Sequence, residues 1–213
     1  MKTVASILVL AAVAGSAQAT SVSYREIGSS AGYEARVNSV YNGQAGTPGY
    51  SAFPAATGPI GFDDYSATTG ASSTVLASLV FVGGVTNAGD TITAEFYTQS
   101  GNLFNSASFT LPSAGNFIWT LSLGATADGS DSTFVIPTNG ILQLVASSTS
   151  GTTAGTGRWF LTSAAPILGT NVVGFGAGPA AVPYQAFSLN AVPTPGALAL
   201  LGLGGLALGR RRR

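Results

Sequence analysis

Thr91-Ile92-Thr93-Ala94-Glu95-Phe96-Tyr97 places Ile92, Ala94 and Phe96 on one face of an extended chain and Thr91, Thr93 and Glu95 on the other. A period of two over seven residues is the mark of a half-buried strand. The same reading puts Phe117, Trp119, Leu121 and Leu123 opposite Ile118, Thr120 and Ser122, and sets Leu103, Asn105, Ala107, Phe109 and Leu111 on one side of a third strand. Residues 34–41, 75–82, 132–136, 141–147, 158–162 and 184–189 complete a set of about nine strands. Turn formers separate them: Gly83-Gly84, Asn87 to Asp90, Ser100-Gly101-Asn102, Pro112 to Asn116, Asp128-Gly129-Ser130-Asp131 and Pro137 to Gly140. Strands at spacings near ten residues, with almost no helical period, predict an all-β antiparallel sandwich or jelly-roll-like domain. Residues 148–157 read as a surface loop and 168–183 as an irregular stretch.

Composition narrows the chemistry. The chain has no cysteine and no histidine. Zinc sites and the Ser-His-Asp and Cys-His nucleophile systems are therefore excluded, leaving carboxylates, whose metal preference is for calcium or magnesium. No cofactor is expected, with calcium the one candidate ion. Only 8% of residues are charged, so a Ser, Thr, Asn and Gly surface must carry solubility, as in an extracellular β-protein able to lie against neutral polymers.

Both ends of the chain differ from the middle. Met1-Lys2, an apolar stretch over 4–13 and Ala17-Gln18-Ala19 have the form of a secretory signal helix cut after Ala19 by signal peptidase. At the other end Val192-Pro193-Thr194-Pro195 cannot continue a helix and is expected to be exposed. The uncharged run 196–209 follows, then Arg210, Arg211, Arg212 and Arg213. Fourteen helical residues reach roughly 21 Å, short of the ~30 Å hydrocarbon core, so the run suits a transient membrane helix. The four guanidinium groups suit anionic headgroups and resist translocation. Between the ends lie about 172 residues, enough for one domain. That part keeps three arginines against eight acids, a net charge of −5, which argues against nucleic-acid binding.

The C-terminal order of parts resembles the PEP-CTERM sorting signal of bacterial surface proteins, whose pattern is Val-Pro-Glu-Pro, a Leu/Gly/Ala-rich helix and an arginine cluster. Thr194 stands where that family usually has glutamate. The resemblance covers about a tenth of the chain. With the N-terminal signal and the strand pattern already read, it divides the chain into 1–19 signal peptide, 20–191 β-sandwich and 192–213 sorting signal. It also implies processing by an exosortase, a membrane protease-transpeptidase, and a final location at the cell surface or in the extracellular matrix.

Within the domain, Gly61-Phe62-Asp63-Asp64-Tyr65-Ser66 sets two carboxylates between aromatics and resembles the Asp-Asp-Phe/Tyr opening of β-sandwiches in many PEP-CTERM proteins. Asp63 and Asp64 could share a calcium ion with backbone carbonyls; the alternative is a solvated turn in which Asp63 caps local amides while Phe62 and Tyr65 pack. Asp128 to Asp131 reads either as half a calcium loop or as a hairpin turn. Trp119, Trp159, Tyr97, Tyr65 and Tyr184 would form a sugar-stacking platform if exposed. Trp119 is in phase with the core, whereas Trp159 is the better candidate for a ligand contact, with burial its alternative.

Three functions follow. The first is an exported, non-enzymatic surface or matrix protein touching extracellular polysaccharide. The second is a carbohydrate-active enzyme using Asp63 or Asp64 with Glu95. The third is a calcium-stabilised adhesin module. Intact-mass measurement on protein from the native host is expected to show loss of residues 1–19 and of the segment beyond Pro193 to Gly196; a mass retaining all four terminal arginines would overturn the processing expectation.

Overall fold

The computed structural model describes residues 17–18, 21–27, 38–43, 56–151, 155–162, 165–172 and 184–193. Fourteen strands and no helix occur among them. The apolar stretch 4–13 of the expected signal helix and the C-terminal hydrophobic helix lie outside the described residues, and Ala17–Gln18, near the end of the expected signal peptide, are strand.

The strands build two sheets. The first orders β1 (Ala17–Gln18), β7 (Leu103–Thr110), β6 (Thr91–Thr98), β10 (Asn139–Ser147) and β4 (Gly58–Ser66). The second orders β2 (Ser21–Glu26), β8 (Gly115–Ser122), β5 (Ser73–Val85), β14 (Phe187–Ala191) and β3 (Ser39–Asn42), with β9 (Val135–Pro137) and β11 (Gly157–Trp159) also paired to β5. A short ribbon joins β12 (Leu161–Thr162) to β13 (Tyr184–Gln185). All pairings are antiparallel except the two-residue β1–β7 contact, which is parallel. The antiparallel sandwich expected from alternation is thus the fold.

Alternation fills the space between the sheets. Ile92, Ala94 and Phe96 of β6 meet Leu142 and Leu144 of β10 in one layer, and Leu79 and Phe81 of β5, Trp119 and Leu121 of β8, and Phe187 and Leu189 of β14 form the other. The layers interlock through edge-on ring contacts, with Tyr65 6.4 Å from Phe187 and 6.3 Å from Phe96 between ring centroids. A second, smaller core on the outer side of the second sheet gathers Val80, Val82, Ile118, Phe160 and Ala186. Strand β5 is therefore buried on both faces, and its sequence Val-Leu-Ala-Ser-Leu-Val-Phe-Val is a near-continuous apolar run rather than an alternating one.

Gly83-Gly84, expected as a turn, lies inside β5. The physical reason is crowding from both neighbours. A Cβ on Gly83 would meet Arg158 O of β11 at 2.1 Å, and one on Gly84 would meet Gly115 O of β8 at 1.7 Å. Glycine here admits close backbone approach. Three other expected turns stand, with Gly89, Gly101 and Gly129 at φ of 90°, 82° and 70°.

Strands β2 and β4 had no counterpart among the expected strands, and β4 matters for closure. Strand β4 is one edge of the first sheet and β3 one edge of the second, and the segment 165–172 sews them together. Ile167 N donates to Asn42 O and Asn42 N to Leu168 O, both at 2.9 Å; Ser66 N donates to Thr170 O at 2.7 Å and Thr170 N to Ser66 O at 3.1 Å. The backbone groups of Asn42 and Ser66, which an edge strand would leave open, are satisfied here.

Gly84→Ala is expected to destabilise by about 3 kcal/mol or more, because the obstructing atom is backbone and cannot rotate away. Gly70→Ala, where an added Cβ meets nothing within 4 Å, is the control. Urea unfolding midpoints of the two variants check this, and equal midpoints would contradict the crowding argument.

Candidate functional site

Asp63 and Asp64 belong to neither the solvated turn nor the shared calcium pair expected of them. They sit in the middle of β4, and a strand sends adjacent side chains to opposite faces. Asp63 pairs with the core residue Leu142, so it points between the sheets, whereas Asp64 pairs with Ile141 and points outward. Asp63 is 0% exposed, and Asp64 is 8% exposed beneath residues 171–172.

Both carboxylates accept hydrogen bonds from distant backbone. Asp63 Oδ2 receives Gln185 N at 2.8 Å and Asn171 Nδ2 at 3.3 Å, and its Oδ1 receives Asp64 N at 3.0 Å. Asp64 receives Val172 N at 3.0 Å. Asp63 thus ties β4 of the first sheet to β13, and Asp64 ties β4 to the closing segment. Neither has a cationic partner among the described residues. Burial holds the Asp63 carboxyl up at about 7; the bond from Gln185 N opposes the rise, the Asp64 charge adds to it, and the bonds from Asp64 N and Asn171 oppose it. Burial raises Asp64 as well.

Aromatic rings pack in the interior that Asp63 faces. Tyr41 stacks on Phe187 at 4.6 Å and meets Tyr65 edge-on at 6.2 Å. Trp159 packs on Phe187 at 5.5 Å. Tyr65 Oη donates to Pro137 O at 2.9 Å, but Tyr41 Oη, Asn171 Oδ1 and both side-chain amide atoms of Gln185 are buried without a hydrogen-bond partner. The Gln185 amide lies against β4, since a Cβ on Gly61 would meet its Nε2 at 2.8 Å. Burial raises the Tyr41 phenol, and the Asp63 and Asp64 charges add to the rise. Gln185 and Asn171 drew no attention in the sequence, because nothing in a lone amide residue signals that it will be buried.

The sugar-stacking platform does not form from the residues expected. Trp159 is fully buried, donating Nε1–H to Ala186 O at 3.2 Å, so the ligand contact proposed for it is corrected to a core role. Trp119, Tyr65 and Tyr184 are buried too, Trp119 with its Nε1–H on Gly83 O at 3.0 Å. Tyr97 alone of the five keeps partial exposure. Asp128 to Asp131 is a self-capped turn: Asp131 accepts from Ala125 N at 3.0 Å and Thr126 N at 2.9 Å, and Asp128 from Ser130 N at 3.1 Å. Among the described residues no three acidic, histidine or cysteine side chains converge.

The outer face of the first sheet carries a different surface. Phe62, Gln143, Glu95 and Ser106 are successive cross-strand partners over β4, β10, β6 and β7, and Ile141, Tyr97 and Leu103 form the adjoining row. Tyr97 Oη donates to Glu95 Oε2 at 2.6 Å and Gln143 Nε2 donates to the same oxygen at 3.1 Å. Phe62 is 37% exposed and the row beside it partly so. Glu95 and Asp63 lie on opposite faces of this sheet, so they cannot flank one glycosidic bond, and the Asp64 carboxylate is occupied by Val172 N.

Of the sorting motif, Val192 and Pro193 are described; Thr194, Pro195 and residues 210–213 lie outside, as does Ala19. Val192 is not free of the domain. Its N–H donates to Val75 O, and Ala191 N donates to Asn38 O, each at 2.9 Å, so the ladder runs into the motif. Both residues are half-buried at one end of a groove of about 580 Å3, whose lining of Ser39, Thr69, Ser73, Thr74 and Ser132 hydroxyls contains no titratable group. Ala17 pairs with Ala107 at the sheet edge, a contact that cleavage after Ala19 would remove. Set against protein-family models, curated proteins and solved structures, the chain finds no match.

The raised Asp63 value fixes a sign. An unfolded carboxyl titrates near 3.9, so folding takes up a proton between about pH 4 and pH 7 and stability falls as pH rises through that window. The ceiling on the effect is about 4 kcal/mol for a gap of about three pH units. In chelator-containing buffer the melting temperature is expected to be several degrees higher at pH 5 than at pH 8, and Asp63→Asn is expected to remove most of that slope; a wild-type melting temperature constant over this range would contradict it.

Proposed function

We propose that this chain is an exported, non-enzymatic protein of the bacterial cell surface or extracellular matrix, and that its sandwich contacts extracellular polysaccharide through the outer face of the first sheet. Residues 1–19 direct export and are removed by signal peptidase. Residues 192–213 hold the chain at the membrane through the hydrophobic helix until an exosortase-like enzyme cuts within the Pro-x-Pro region. What remains is a displayed domain.

The observation that carries the polysaccharide contact is the row Phe62–Gln143–Glu95–Ser106 with Tyr97 beside it. An aromatic face offers stacking area to the apolar face of a sugar ring, while the amide, carboxylate and hydroxyl groups offer hydrogen bonds to its hydroxyls. Their mutual bonds hold Glu95, Tyr97 and Gln143 in place before a ligand arrives, which lowers the ordering cost of binding. With so few charged residues in the chain, the fitting partner is a neutral glycan rather than a polyanion. The burial and hydrogen bonding of Asp63 and Asp64 favour this passive reading over the carboxylate-based enzyme.

The test is binding of the secreted protein to matrix polysaccharide extracted from the native host and to a neutral glycan array. Phe62→Ala and Tyr97→Ala are each expected to weaken binding about tenfold, the scale of one lost aromatic contact. Tyr24→Ala, on β2 of the other sheet, is expected to leave it unchanged. Equal binding by all three variants, or no binding by the unsubstituted protein, would refute the assignment.

A further inference from the structure

We infer that the outer edge of β7 is an interface that pairs with β7 of a second copy of this chain, joining the first sheets of two molecules into one. The outermost strands of the two main sheets are not alike. Strands β3 and β4 are both bonded to residues 165–172, and β2 ends in the charged pair Arg25-Glu26, a device that keeps an edge from pairing. Strand β7 has neither protection. Leu103-Phe104-Asn105-Ser106-Ala107-Ser108-Phe109-Thr110 contains no charge and no proline, and Leu103 and Phe104 are 47% and 41% exposed. Among the described residues its outer edge is paired only with Ala17–Gln18.

The direction of the backbone groups shows what this edge offers. Leu111 N donates to Asp90 O and Gly89 N donates to Leu111 O, so the backbone of Leu111 faces the β6 side. Backbone direction alternates along a strand, which turns Phe109 and Ala107 toward β6 and Thr110, Ser108 and Ser106 away from it. Two observations agree. Ser106 N–H is met by the side chain of its own neighbour, Asn105 Oδ1 at 2.9 Å, and the parallel β1 ladder lies against Ala107 and Ser108. The edge therefore accepts a strand, and the one seated on it is two residues long and lies upstream of the expected cut after Ala19.

A second copy is the partner this edge suits. A two-fold axis sets each residue near it beside its own copy, so a charge or a bulky side chain at the centre would oppose pairing. The centre of β7 is Ser106-Ala107-Ser108, small and neutral. With the axis at Ala107, Ser106 and the partner's Ser108 meet through their outward backbone groups, and alternation keeps the serines on the outer face and Ala107 and Phe109 on the inner face in both copies. Glu95, opposite Ser106 on β6, stays clear: three strand spacings, roughly 14 Å, separate the two copies of β6, beyond the ~8–10 Å screening length. A contact ~27 Å long and one strand wide falls short of the ~800 Å2 per partner of a stable interface, so the dimer is of the weak class. The inference is independent of the polysaccharide reading. It meets the export reading at one point, the clearing of β1, and a two-residue ladder is too short to compete with a full strand.

The experiment is sedimentation velocity on the secreted protein from about 5 to about 500 µM, a range that brackets weak association. Intact mass of the same sample gives its first residue, so the export reading is judged separately. A concentration-dependent shift from monomer to dimer is expected, with the Ser108 and Thr110 amides exchanging hydrogen more slowly at the upper concentration. Ser108→Pro removes an N–H that the β6 ladder does not use, and Ser106→Lys sets a charge beside the axis. Each is expected to weaken association about tenfold or more, since the two-fold axis repeats every loss, while leaving the melting temperature of the monomer near that of the unsubstituted protein. Ser106→Lys serves if Ser108→Pro fails to fold. Ser23→Lys, on β2, is expected to leave association unchanged. A protein that stays monomeric throughout, whichever residue it begins with, would overturn the interface. So would association that survives both β7 variants, which would place the contact at another edge or at the terminal segment, or association that Ser23→Lys weakens equally.

Discussion

The hydrogen bond from the Gln185 backbone N–H to the Asp63 carboxylate is the contact on which the closure of this sandwich depends. Apolar layers alone would hold two sheets together without fixing how their edges meet, since burial is non-directional. A carboxylate between the sheets, reached by a backbone N–H from the other side, sets position as well as proximity. Asp64, pointing the opposite way from the same strand, does the same for residues 171–172. Two adjacent acids thus gain distinct tasks from the pleat of β4.

Around that closure the rest follows from burial. Strand β5 receives β8, β14, β9 and β11 along its thirteen residues, and it is apolar on both faces because a core lies on each side. Its two glycines let β8 and β11 come against its C-terminal half. Polar contacts fill in where hydrophobic surface ends: Asp131 caps its own turn, and Asp90 gathers the backbone of Asn87 and Thr149 across two loops. With no cysteine and few charged residues to draw on, the domain rests on apolar packing and on short side chains that bond to backbone.

Strands with a clean period of two were legible from the chain alone: β6, β8 and β10 fall within a few residues of the alternation that announced them. Strand β4 was not, because Gly-Pro at its start and Gly61 and an Asp-Asp pair within it imitate a turn; only the pairing with β10 converts that composition into a strand with acids on both faces. Gly83-Gly84 misled for the matching reason, since local propensity cannot register a neighbour's carbonyl. Of the site, Asp63 and Asp64 could be singled out, but the chain alone left Trp159 open between exposure and burial, and Phe62, Gln143, Asn171 and Gln185 could not be gathered from segments up to 123 residues apart.

By itself the sequence determined the fold class, the exclusion of thiol and imidazole chemistry, and the presence of two end segments unlike the domain between them, because period, composition and local order are properties of the chain. Tertiary structure decided which acid is buried, which aromatic rings remain outside and which amides lie without partners. Those are properties of distance between residues remote in the chain, and the desolvation that gives Asp63 its character exists only once both sheets have closed over it.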